Sequence, residues 1–83
     1  MKTLPEYPCE LFVPFEGDEF YEGRLTLNLL NKGYSVEVEL VQKESKKIVK
    51  AITTLYHLDS EQEACDRGMQ ELATFVRSAS SSI

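Results

Sequence analysis

Chemistry in a chain of 83 residues has few places to start: here, one histidine, two cysteines, an acidic stretch and a lysine cluster. His57 stands beside Tyr56 and two residues before Asp59, where it could act as a general base or a pH switch. Such a base needs a nucleophile within reach and a third group to orient it, and no serine or cysteine lies at a spacing that supplies one. Asp59 also reads as part of a helix cap. His57 is therefore read as a structural histidine at a strand end, and no catalytic residue is assigned. Cys9 and Cys65 are far apart in sequence and form no metal-ligand cluster, and two cysteines do not make a disulfide framework. Cys65 falls in the first turns of a helix, where a thiolate is stabilised, but it lies on that helix's apolar arc. Both are read as buried free thiols.

The acidic stretch 16–23 brings Glu16, Asp18, Glu19 and Glu22 close together, without the ligand spacing of a calcium loop. It reads as a solvated turn, so no metal and no cofactor is assigned. Lys43, Lys46, Lys47 and Lys50 could contact phosphate, but the formal net charge is −5 and residues 1–22 carry six acids against Lys2 alone. Neutralising a phosphate backbone takes a positive face. The lysines read instead as guards of a hairpin tip and an edge strand.

The elements that position these groups follow from periodicity. Residues 59–77 read as one amphipathic helix. Ala64, Cys65, Gly68, Met69, Leu72, Phe75, Val76 and Ala79 share one arc, and charged and amide side chains fill the rest. Ser60-Glu61-Gln62-Glu63 fits a capping box, and Glu63 with Arg67 makes an i, i+4 pair. Gly68 in mid-helix costs about 1 kcal/mol relative to alanine, which predicts a close approach to the sheet along Ala64 and Gly68. Before the helix, 24–30 and 34–41 alternate with period two around Asn31-Lys32-Gly33, a hairpin signature with Gly in a bulge position. That register sets Leu29 against Tyr34, Leu27 against Val36 and Leu25 against Val38. Residues 9–15 make a weaker strand, placed at an edge by Pro14.

Residues 47–58 make the last strand, with apolar groups in both phases. Pairing Leu40 with Val49 and Val38 with Ala51 keeps Lys50 out of the core and lines it up with Arg24 and Glu39. In that phase Val41, Ile48, Ile52 and Tyr56 form an apolar stripe on the face away from the helix, a candidate interaction surface.

The expected fold is α+β: an antiparallel meander of three to four strands with one C-terminal helix packed on one face. Residues 1–83 make one small domain, with 1–8 a loose arm and 78–83 a frayed tail. The strand–strand–strand–helix order resembles, in topology, the later part of the double-stranded-RNA-binding fold. That family's opening helix is absent, and Asp59, Glu61 and Glu63 stand where it clamps phosphates, so the resemblance implies an outline without RNA binding. No run approaches a membrane span and the N-terminus has no signal-peptide pattern, so the expected location is cytoplasmic. The sequence is read as a non-enzymatic protein-interaction or self-associating domain, with a homodimer or another protein as partner. The alternative, from a different class, is an accessory nucleic-acid or nucleoprotein-binding domain using the 43–50 lysine cluster. A small enzyme built on His57 is a distant third.

Overall fold

The computed structural model describes residues 7–81, so the expected arm lies largely outside the described residues. Four strands precede one helix: β1 (Cys9–Pro14), β2 (Tyr21–Leu30), β3 (Gly33–Gln42), β4 (Ile48–Leu58) and α1 (Glu61–Ser81). The strands form one antiparallel sheet in the order β1-β2-β3-β4, with α1 against one face. The fold is the α+β meander that the periodicity implies.

The β2–β3 hairpin keeps the expected register, pairing Leu29 with Tyr34, Leu27 with Val36 and Leu25 with Val38. The turn is two residues, Asn31 and Lys32, where three with a bulge are expected: Gly33 pairs with Leu30 as the first residue of β3, at φ 126°, a region that favours glycine. A side chain at Gly33 would also meet the Leu58 carbonyl oxygen at 2.7 Å. Leu25, Leu27, Val36 and Val38 are buried under α1 together with Leu58, Ala64 and Leu72.

The β3–β4 register departs from expectation. Leu40 pairs with Lys50, Val38 with Thr53, Val36 with Leu55 and Tyr34 with Leu58, with three register shifts along the way. Each shift inserts one extra residue into β4. The reason lies in the apolar spacing: Leu55 and Leu58 are three apart, and a regular strand would turn them to opposite faces. His57, at φ 60°, takes up the extra residue, and Leu58 returns to the core.

The helix begins as the cap predicts. The Glu63 amide donates to the Ser60 hydroxyl at 3.0 Å, and the Glu63 carboxylate accepts from the Asp59 amide at 2.7 Å. With Glu63 so engaged, the i, i+4 contact in this turn is Gln62 to Asp66 at 2.9 Å rather than Glu63 to Arg67. Past Arg77 the helix continues to Ser81, since Ser-Ala-Ser-Ser contains no breaker. The expected frayed tail is therefore helical through Ser81, and 82–83 lie outside the described residues. Tyr7 does not belong to a loose arm: its hydroxyl donates to Glu61 at 2.6 Å and its ring meets Tyr34 edge-on. The Glu61 bond, more than any other cause, raises the Tyr7 phenol above its ordinary pKa, so the hydroxyl keeps its proton at neutral pH.

The close approach along Ala64 and Gly68 is present. A Cβ on Gly68 would lie 3.1 Å from Val36 and 3.2 Å from Leu25, and Ala64 is fully buried. Gly23 on β2 makes a second approach point, because a Cβ there would run into the side chain of Leu72. Gly68→Leu is expected to lower the unfolding free energy by about 1–3 kcal/mol through overpacking. Urea denaturation followed by circular dichroism tests this, and an unchanged midpoint would rule out the close approach.

Candidate functional site

Of the four groups that could do chemistry, only the acidic stretch and the lysine cluster meet; the histidine and the cysteines stand apart from them. His57 is exposed at the end of β4, its ring 6.5 Å from Tyr56. Cys9 and Cys65 are half-buried rather than buried, and both line a cleft of about 250 Å³ with Leu11, Leu27, Glu61 and Gln62. No Cα of β1 lies within 8 Å of a Cα of α1, beyond the roughly 4.4–6.8 Å that a disulfide spans, so the thiols are held apart. Among the described residues, no three His, Cys, Asp or Glu side chains converge as metal ligands do.

The acidic stretch is an ordered turn. Gly17 takes φ 81°, and the Asp18 carboxylate accepts from the amides of Phe20 and Tyr21 at 2.9 and 3.0 Å. Lys43 donates its ammonium to the Asp18 carbonyl at 2.7 Å, and its amide donates to the Phe20 carbonyl at 2.8 Å. Lys46, at φ 62°, reaches back to Glu22 and lies 4.4 Å from the centre of the Phe12 ring. Two of the four clustered lysines are thus spent on internal contacts, leaving Lys47 and Lys50 exposed.

On the sheet face away from α1, Arg24 donates to Glu39 at 2.7 and 2.9 Å and pairs with Glu10 at 3.5 Å. Lys50 does not join this row, because the shifted register sets it opposite Leu40. The shifts also separate the expected apolar stripe. Val41 is fully buried, paired with Glu22 and Ile48 in the corner that the 43–46 turn closes. Ile52 packs against the core cluster under α1. Ile48 stays opposite Val41 as expected, and Ile48 and Tyr56 remain exposed, at 54% and 59%. Only an unbroken β4 would bring these four side chains together.

A second apolar surface lies at the opposite edge. Helix α1 sits over β2, β3 and β4 and leaves β1 uncovered. Along β1, Cys9, Leu11 and Val13 share the helix side of the sheet, being paired with Leu27, Leu25 and Gly23. Phe15 continues that row. The facing flank of α1 carries Cys65, Met69 and Val76, so the apolar arc of the helix is wider than its own sheet buries. Leu11 is 38% and Met69 41% exposed. Between the two rows runs a groove of about 410 Å³ lined by Val13, Phe15, Met69, Leu72 and Val76, with Glu16 and Arg77 at its rim. The sequence does show both rows, in the β1 alternation and the broad helical arc. It does not show that the helix sits away from β1.

One consequence is readable by titration. The backbone bonds from Phe20 and Tyr21 hold the Asp18 carboxyl below its ordinary value of 3.8. A lowered native value means that Asp18 stabilises the fold above about pH 3.8 and loses that contribution as pH falls through the native value. The difference in urea midpoint between wild type and Asp18→Asn should therefore narrow as pH drops from neutral to below 3.8. A difference that stays constant would show that the ionised carboxylate is not what orders the turn.

Among known proteins, no family model, no curated protein and no solved structure matches this chain.

Proposed function

We propose that this protein is a non-enzymatic interaction domain that docks a protein partner on its β1–α1 side. The observation that carries this reading is the pair of half-exposed apolar rows, one on β1 and one on α1, facing each other across an open groove. A surface of contiguous apolar groups with charged residues at its ends has the composition of an interface centre and rim. Apolar floor without converging polar groups fits docking better than turnover of a polar substrate. The test uses three immobilised baits in the native lysate: wild type, Leu11→Lys with Met69→Glu, and Ile48→Glu with Tyr56→Ser. Proteins retained by the wild type should also be retained by the β4 variant and lost from the β1–α1 variant. Retention that is identical on all three baits, or lost only with the β4 variant, would overturn the assignment of this side.

The reading as a nucleic-acid accessory gains nothing comparable. Lys43 and Lys46 are engaged internally, and the first turn of α1 carries Glu61 and Glu63 where a phosphate-binding helix end needs positive charge. Gel-shift assays at about 150 mM salt are expected to show no RNA or DNA binding at micromolar protein. Micromolar binding that weakens on replacing Lys47 and Lys50 would restore the alternative.

A further inference from the structure

Both outer strands of the sheet are open edges among the described residues, and they are built differently. β4 is interrupted by three register shifts and carries Lys50, with Lys47 just before it and no acid between Lys46 and Leu58. Bulges and lysines are the usual protection of an edge against pairing. β1 has neither bulge nor lysine: its six residues pair with β2 without a single shift, and its one blunting residue, Pro14, stands at the strand's end.

We infer that a second copy of this chain pairs with β1 in antiparallel fashion across a two-fold axis at Phe12. This rests on the interaction reading above and names its partner. Proline has no amide hydrogen, so Pro14, paired with Glu22, cannot donate to β2 and directs its backbone to the open edge. By the alternation of an antiparallel ladder, Glu10 and Phe12 turn their amides and carbonyls outward as well. A two-fold axis at Phe12 sets Phe12 opposite its own copy and Glu10 opposite Pro14 of the other chain. Each Phe12 amide then meets the other Phe12 carbonyl, and each Glu10 amide meets a Pro14 carbonyl. Every outward donor of the strand is used, and the missing proline donor falls where only a Glu10 carbonyl goes without. A two-fold interface of this kind closes on itself, so it makes a dimer and not a fibre.

The side chains agree with that register. On the helix side Leu11 meets Val13 twice, and Cys9 lies opposite Phe15 beyond the strand end, all of them half-buried or exposed in the single chain. On the other side the two Phe12 rings, each 40% exposed, come side by side. The only charged residue of β1, Glu10, is already paired with Arg24 and faces a proline instead of another acid. No like charges are opposed. A β4–β4 pairing would instead bring together Lys50 and the adjoining Lys47 of both chains, with no acid on either strand to offset them. The β1 dimer joins the two apolar grooves into one trough, floored by an eight-stranded sheet and walled by the two helices.

The test combines sedimentation with site-specific cross-linking. Wild type should sediment as a concentration-dependent dimer in the micromolar range. Leu11→Lys should raise the dissociation constant by about tenfold or more, while Ile48→Glu with Tyr56→Ser leaves it unchanged. In a Cys9→Ser, Cys65→Ala background, Phe12→Cys should form an intermolecular disulfide under oxidised glutathione. Directly opposed residues of this pair type stand about 5.5 Å apart between Cα atoms, within disulfide reach. Tyr56→Cys in the same background should not cross-link. A chain that stays monomeric to high micromolar concentration and yields no Phe12→Cys dimer overturns the inference. So does a dimer that cross-links through Tyr56→Cys alone. A monomer whose lysate partners are still lost with Leu11→Lys and Met69→Glu removes the second copy but leaves the interaction reading standing.

Discussion

One helix has to cover a four-stranded sheet, and it cannot. A helix is roughly 10–12 Å across with its side chains, while neighbouring strands stand about 4.8 Å apart, so one helix shields two to three strands. The chain places α1 over β2, β3 and β4 and brings it close by removing side chains where the backbones meet. Gly68 and Ala64 on the helix and Gly23 on β2 are those places. Close packing deepens the burial of Leu25, Val36, Val38 and Leu72, which a chain this short needs because its core is thin. The same arrangement leaves β1 without a cover.

Among the described residues no second layer covers the other face of the sheet, and its centre is finished with charge. Arg24 bridges Glu10 on β1 and Glu39 on β3, and Lys46 arches from the 43–46 turn onto Glu22 and the Phe12 ring. Glu22 and Glu39 are nearly buried, and each has a cationic partner, so neither leaves an unpaired charge out of water. The lysine cluster that suggested phosphate contact is thus partly a structural strap. Arg24, Glu22, Glu39 and Lys46 are engaged in internal pairs here, whereas the helix side of β1 is apolar and half-exposed.

The sequence made the hairpin, the cap and the glycine approach legible because each rests on local rules. Alternation around Asn31-Lys32-Gly33 allows one register that keeps Leu25, Leu27, Val36 and Val38 together, and the structure has it. Ser60 and Glu63 sit at the spacing that only a helix start rewards. β4 was not legible in the same way. Its apolar residues occupy both phases, and an unbroken strand must choose one, whereas the chain switches phase three times by inserting single residues. Nothing in KIVKAITTLYHL marks those insertions: the left-handed residue near its end is a histidine, where a glycine would have announced it. Of the expected stripe, Val41 and Ile48 stay paired, while the switching takes Ile52 to the core.

The bulges of β4 follow from core packing, and they also decide which edge stays open. To bring Leu55 and Leu58 both under α1, and Ile52 against the same core, β4 must give up a regular ladder, and in doing so it becomes a poor template for another strand. β1 contributes only partly to the core, so nothing forces it out of register, and it keeps a straight edge with its apolar row half-exposed. Burial on one side of the sheet therefore protects one edge and leaves the other available. An interface placed on β1 would finish what the single helix leaves undone, since it would cover the strand that α1 does not reach.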